Sequence, residues 1–234
     1  MFDIIHYDTI GSTNDEAKRL ATEGAPHGTV VHADAHSAGR GRMARAWFSP
    51  PGNLYMSTLL RLDVPVGRLS ELSFLTAVAL AETLDALLPK SVRATLKWPN
   101  DVLVQGGKIA GILLEYQDGA TIIGTGLNVL HAPTSPAYKT TCIVANGGMA
   151  SVDGARDILL RRLQHHLSIW LAEGFEPVRA AWLTRAHPVG TMLKVNNGAQ
   201  TIEAAFDGLD TDGALLLRTS EGQRRIVAGD VSPA

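Results

Sequence analysis

The sequence holds a single cysteine, Cys142, in 234 residues. One thiol closes no intramolecular disulfide and builds no cysteine-based zinc site. Its neighbours Thr141, Ile143 and Val144 suggest a small buried side chain. No apolar run reaches the length of about 18 residues that a membrane helix needs, and no basic stretch followed by an apolar one opens the chain. A charge excess of one sign is missing too: 21 Lys and Arg against 23 Asp and Glu leave a formal net charge of −2. That balance argues against non-specific nucleic-acid binding through an overall basic surface. There is no internal repeat, no low-complexity tract and no G-x-S-x-G elbow of a serine hydrolase. His165 and His166 are adjacent on an expected helix, so they face different ways and do not make a metal pair. What remains is the profile of a cytoplasmic globular protein, one large domain with a small appendage.

Apolar periodicity and turn residues predict an α+β chain. Residues 2–8 read as a strand. A helix follows, with Thr13 and Glu16 as a capping box and Ala17, Leu20 and Ala21 on one face, ended by Gly24 and Pro26. Residues 29–35 and 53–62 are strands, and 69–88 is a long amphipathic helix stopped by Pro89. Strands at 92–96, 102–104, 109–116 and 121–129 are joined by turns that include Gln105-Gly106-Gly107 and Asp118-Gly119. A loop rich in Pro, Thr and Gly, residues 131–149, leads to a helix over 153–172. Its expected core face is Ile158, Leu159, Leu163, Leu167, Trp170 and Leu171. A shorter helix covers 177–185. At His187-Pro188 the pattern changes to four short strand-like runs with turns at Asn197-Gly198, Asp212-Gly213 and Glu221-Gly222. The expected architecture is a mixed β-sheet domain flanked by helices, residues 1–187, with a small C-terminal β-barrel, residues 188–234, that docks on it.

The most informative stretch is Gly39-Arg40-Gly41-Arg42-Met43-Ala44-Arg45-Ala46-Trp47. Three arginines this close are poorly accommodated without an anion, and the glycines admit positive φ and close approach to a ligand. Composition alone favours a solvated surface loop. The segment also fits G-x-G-x-x-A of a dinucleotide site, but that reading needs a helix where Pro50-Pro51-Gly52 stands. Mutual repulsion predicts a loop that is mobile until an anion binds.

Lys97-Trp98-Pro99-Asn100-Asp101 and Gly107-Lys108-Ile109-Ala110-Gly111-Ile112 flank a hairpin. Lys108, in an apolar strand, reads as a ligand for phosphate or carboxylate, against the alternative of a solvated lysine at a hairpin tip. Asp101 beside Asn100 suits Mg²⁺ shared with phosphates. Gly106-Gly107-Lys108 is not a P-loop, because Val102 and Ile109 stand where its first Gly and its Ser/Thr belong. In Gly124-Thr125-Gly126-Leu127-Asn128 the glycines point to close backbone approach, by a ligand or by a packing neighbour. Ser12-Thr13-Asn14 at a helix start combines capping with free N–H groups.

Taken in order, these pieces resemble the biotin–protein ligase family, which activates biotin with ATP and transfers it to a lysine of a carrier protein. G-R-G-R-x-x-R-x-W matches residues 39–47, K-W-P-N-D matches 97–101 and G-K-[LI]-A-G-I-L matches 107–113. S-T-N matches 12–14 and G-[IL]-N matches 126–128. The resemblance covers essentially the whole chain and implies an SH3-like C-terminal barrel. It implies biotin contacts from Ser12, Thr13, Asn14, His36, Arg40, Gly41, Arg42, Lys108 and Gly111, and ATP contacts from Arg42, Arg45, Trp47, Asn100, Lys108 and Asn128. It implies catalytic roles for Arg42, Arg45, Asp101 and Lys108, and Mg²⁺ at Asn100 and Asp101. The implied partner is a biotin carboxyl carrier protein, with no nucleic acid and no membrane, and an edge-to-edge homodimer is compatible with it. One position departs: His36 stands where the family usually has Gln, so a contact there to the ring end of biotin is weakened or made pH-sensitive. No helix-turn-helix segment precedes Phe2, so a repressor function is not expected. A lipoate ligase and a non-catalytic binding module are the rival readings. The first lacks its arginine-pair and His-Asp signature here; the second has no need of Lys97, Asp101, Lys108 and three loop arginines.

Overall fold

The computed structural model describes residues 2–134, 138–198 and 200–233, so Ser135, Pro136 and Ala137 of the expected Pro-rich loop lie outside the described residues. The main sheet is built from β1 (Asp3–Ile10), β2 (Thr29–His36), β3 (Leu54–Leu60), β4 (Ala94–Lys97), β5 (Asp101–Val104), β6 (Gly107–Gln117) and β7 (Ala120–Leu127). Their spatial order is β1-β2-β3-β7-β6-β5-β4. β1 and β2 run parallel and the other pairs antiparallel, which makes the sheet mixed. Two turns are tight hairpins as the sequence suggests: Gln105 and Gly106 (φ 49° and 74°) and Asp118 and Gly119 (φ 46° and 76°) all lie in the left-handed region.

Because side chains alternate along a strand, the two faces of this sheet have different fates. Met56 and Leu60 of β3 and Ile123 and Leu127 of β7 look toward the large core. There they meet α2 (Glu71–Leu87), α3 (Val152–Glu173) and α4 (Glu176–Leu183). Leu59 and Ile122, one residue along, look the other way and join Ala17 and Ala21 of α1 (Thr13–Thr22) in a small separate cluster. α1 is only ten residues long and covers part of that face. Further along, the same face carries Tyr55, Ser57, Gly111, Gly124 and Gly126. This uncovered floor holds the candidate site.

Three expectations need correction. Helix α1 is not closed by a capping box: its N-cap is Ser12, with no side-chain cap bond. Thr13 Oγ1 pairs with the Ser57 hydroxyl, while Glu16 accepts from Tyr7 Oη and the Arg19 guanidinium. Helix α2 is not amphipathic, for 13 of its 17 residues are buried, because the sheet covers one side and α3 and α4 the other. Its Thr76 and Thr83 hydroxyls bond the helix's own carbonyls at 2.7 and 2.8 Å, which removes the cost of burying them. In α3, Leu171 turns outward (51% exposed), and Leu160 and His166 take inward places.

The C-terminal unit has five strands rather than four runs: β8 (Met192–Asn196), β9 (Thr201–Leu209), β10 (Leu215–Thr219), β11 (Gly222–Ile226) and β12 (Asp230–Pro233). They form an antiparallel sheet in the order β11-β10-β9-β8-β12, and no pairing closes β11 onto β12 among the described residues. Its core is continuous with the main one. Trp98 Nε1 donates to Gly213 O at 3.0 Å, and Arg179 of α4 donates twice to Leu209 O at 2.9 and 2.7 Å. No helix among the described residues is long and apolar enough to cross a membrane. Replacing Trp98 by Phe keeps an aromatic side chain but leaves the Gly213 carbonyl without its buried donor, a loss of about 1–3 kcal/mol from that bond. A lowered urea midpoint with earlier proteolysis after residue 187 is the expected outcome, and an unchanged midpoint would refute it.

Candidate active site

The polar end of the site is built at the start of α1. Asn14 is buried against β7: a Cβ placed on Gly124 would lie 2.1 Å from Asn14 Oδ1, so only glycine fits there. Asn14 Oδ1 accepts from Ser57 Oγ at 2.5 Å, and Ser57 Oγ lies 2.8 Å from Thr13 Oγ1. Asn14 Nδ2 donates to Glu115 at 2.7 Å. The N–H of Thr13 donates to His36 Nε2 at 3.2 Å. An amide N–H only donates, so Nε2 is the unprotonated nitrogen and the proton sits on Nδ1, 3.4 Å from Ser49 Oγ. That hydroxyl in turn donates to Trp47 O at 2.9 Å. Burial, and then Arg40, push the His36 imidazole down to about 4. His36 is therefore neutral near pH 7, both its nitrogens are engaged by the protein, and its ring lies on Tyr55 at 4.9 Å. PH sensitivity near neutrality is not a property of this wall.

The arginine loop folds as a narrow hairpin. Gly41 N donates to Arg45 O at 2.7 Å and Trp47 N to Gly39 O at 2.9 Å. Positive φ is found not at its glycines but at Met43 and Ala44, both 55°. Gly39 instead supplies space, since a Cβ there would meet Ser49 Oγ at 2.5 Å and Trp47 O at 2.7 Å. The premise that the arginines lack anions is also overturned. Arg40 forks onto Asp15 at 2.5 and 2.8 Å and reaches Glu115 at 2.9 Å. Arg42 donates to Asn100 Oδ1 and to Gly229 O, each at 3.2 Å, and Arg45 reaches Asp230 at 3.2 Å.

The cationic end lies over β5 and β6. Lys108 is not at a hairpin tip. Its side chain is 18% exposed, and its ammonium lies 2.6 Å from Asp101 and stands over the Trp47 ring at 5.2 Å. Lys97 approaches the other Asp101 oxygen at 2.7 Å. Burial raises the Asp101 carboxyl, but the two lysines outweigh it and hold the group below the usual carboxylate range. Trp47 packs on two facing glycines of β6 and β7: a Cβ on Gly126 would lie 2.7 Å and one on Gly111 3.2 Å from its ring. Its Nε1 is buried without a partner. Asn100 and Asp101 do not fit a protein-held Mg²⁺. Both Asp101 oxygens face ammonium groups, Asn100 Oδ1 takes a guanidinium hydrogen, and no uncompensated carboxylate is left for a divalent ion.

These two ends share one cavity of about 680 Å³. Six cationic side chains (Arg40, Arg42, Arg45, Lys97, Lys108, Lys139) line it against two carboxylates, Asp101 and Asp230. Of the residues expected to contact biotin, ATP or metal or to act in catalysis, all but one line it. The exception is Asn128, which lies beyond the end of β7, donates through Nδ2 to Thr141 O at 2.9 Å and is 2% exposed. Sequence reasoning missed Tyr55, Ser57, Glu115 and Asp230. Alternation along β3 and β6 carried a signal for the first three, since they share a face with the glycines; Asp230 carried none.

Residues 7–133 match the biotin/lipoate A/B protein ligase family, and residues 191–232 match the biotin protein ligase C-terminal domain. The chain belongs to the biotin/lipoate A/B protein ligase family. Within it, a biotin–[acetyl-CoA-carboxylase] ligase of Paracoccus denitrificans is 36% identical over 94% of this chain and 96% of that one. A bifunctional ligase/repressor BirA of Bacillus subtilis is 34% identical over 97% of this chain and 73% of its own length. The structure of a biotin protein ligase from Aquifex aeolicus in complex with biotin and ATP superposes with a TM-score of 0.85 at 26% identity, over 99% of this chain and 98% of that one.

Two measurements check this geometry. His36 is depressed in the folded state from an unfolded value of about 6.5, so its contribution is complete above that pH and is lost as pH falls toward 4. His36→Gln lacks this dependence. Its thermal stability relative to wild type should rise by about 2 kcal/mol between pH 7.5 and 4.5, and a pH-independent difference would contradict the burial argument. Gly126→Ala drives a methyl into the Trp47 ring, which is expected to raise the KM for ATP about tenfold while biotin binding changes little. Equal effects on both ligands would count against it.

Proposed function

We propose that this chain activates biotin with ATP as biotinyl-5′-AMP and transfers the biotinyl group to a lysine of a biotin carboxyl carrier protein. One observation carries the reading. The Ser12-Thr13-Asn14 turn, matched to a small polar ring system, opens into the same cavity as an excess of cations matched to a triphosphate. The enzyme class comes with the family: a ligase that forms an amide bond at the expense of ATP. We place the catalytic domain at residues 1–187, the C-terminal unit at 188–234, and the protein in the cytoplasm beside ATP and its acceptor.

In the first step an oxygen of the biotin carboxylate attacks the α-phosphorus, and the bond to the β-phosphate oxygen breaks with loss of pyrophosphate. The carboxylate is already ionised at neutral pH, so no general base is required. In-line placement and charge compensation are required. In this reading Arg42, Arg45 and Lys108 face the phosphates, and Trp47 with Asn100 borders the nucleotide. Ser12, Thr13, Asn14, Arg40, Gly41 and Gly111 surround biotin, and His36 supports them from behind. Asn128 acts from outside the cavity, by holding the Thr141 segment beside Lys108. In the second step the acceptor amine attacks the acyl carbon and AMP leaves. The amine sheds a proton, and Asp101 is a weak base for it because its two lysines hold its affinity for protons down. Its role in this reading is to aim Lys97 and Lys108. The donors at Asn100 and Asp101 do not fit a resident metal, so no step runs through one.

Pyrophosphate release from ATP, assayed with biotin, with lipoate and with no acid, tests the reading. Biotin-dependent release that falls by about a hundredfold or more in Lys108→Ala is expected. Release with lipoate instead would transfer the chain to the lipoate side of the family. Biotin binding without any release would make it a binding module.

A further inference from the structure

Glu115 lies on the cavity side of β6, four residues along from Gly111. Its carboxylate accepts from three donors on two elements: Asn14 Nδ2 at 2.7 Å and Lys18 Nζ at 3.1 Å on α1, and Arg40 Nη2 at 2.9 Å in the arginine loop. Arg40 also forks onto Asp15, but that side chain is 56% exposed while Glu115 is 25% exposed. The Asp15 pair is therefore the more strongly screened of the two. Arg42 and Arg45 turn the other way, toward Asn100 and the C-terminal sheet. Arg40 is thus the loop arginine that grips the α1 side, and Glu115 is the better-shielded anion it grips.

The same carboxylate fixes the pocket floor. With Nδ2 held by Glu115, Asn14 presents Oδ1 to Ser57 and fills the space that the missing Cβ of Gly124 leaves. We propose that Glu115 is a positioning residue that couples the loop to the biotin end of the cavity. By holding Arg40 and Asn14 together, it keeps the loop shut over the acyl-adenylate between the two half-reactions. This rests on the ligase reading above. Burial raises the Glu115 carboxyl, but its three donors outweigh that and keep it ionised at neutral pH.

The test is the rate at which preformed biotinyl-adenylate leaves the enzyme, with biotin Kd and the KM for ATP measured alongside. Glu115→Gln keeps an oxygen for Asn14 and removes the charge that holds Arg40, so release should quicken about tenfold with the KM for ATP within about twofold of wild type. Glu115→Ala should weaken biotin binding as well, by about tenfold. In an Arg40→Gln background, Glu115→Gln should add less than about twofold to release, because both changes break one contact. Wild-type release in Glu115→Gln, an equal shift in the KM for ATP, or full additivity with Arg40→Gln would each overturn the assignment. Wild-type enzyme that forms no adenylate would instead overturn the ligase reading and this assignment with it.

Discussion

Like charges crowd this cavity, and the rest of the structure follows from how the chain holds them. Six cations around one space repel strongly, and the chain answers with carboxylates drawn from four separate elements. Asp15 comes from α1, Asp101 from β5, Glu115 from β6 and Asp230 from β12. Only Asp101 and Asp230 of these four line the space, so cations outnumber carboxylates there and the charge needed for an incoming polyanion stays focused. Asp101 shows the principle most closely. Its carboxylate is the cross-piece between two lysines on β4 and β6, the strands that flank its own, and it converts two flexible side chains into fixed ones.

The second constraint is room. A sheet face bare enough to seat a ligand is a face on which neighbouring strands present little side chain. Gly111, Gly124 and Gly126 provide that, yet their space is already used by Asn14 and Trp47. The glycines fix where the two ends of the site stand and how far apart. The C-terminal sheet belongs to this arrangement as well. It receives Trp98 from the hairpin turn and offers Gly229 O and Asp230 to the loop arginines. A unit docked by apolar packing thereby also orders a charged loop.

Much of this was legible in the chain itself. The Lys97–Asp101 and Lys108 pieces flank a two-residue turn, and strand pairing across such a turn puts them opposite one another with little freedom. The arginine loop was legible as a cationic element, but not as a paired one, because Asp15, Glu115 and Asp230 come from distant parts of the chain. Helix α2 was misread because periodicity reports one apolar face and is silent about a helix buried on all sides. Asn128 was misplaced for a similar reason: a residue just past a strand end has no alternation to fix its direction, and it turned to satisfy a backbone carbonyl. The capping box failed because Thr13 and Glu16 had tertiary partners available.

Trp47 differs from the molecule's other three tryptophans. Trp98, Trp170 and Trp182 are each at least 96% buried, and the first two have their indole N–H groups satisfied. Trp47 borders the cavity with its indole N–H unpartnered and an ammonium group over its face. Its excited state is therefore the one most exposed to whatever enters. The protein carries its own optical gauge of occupancy, placed where the charge of the site and its contents meet, and no dye need be attached to read it.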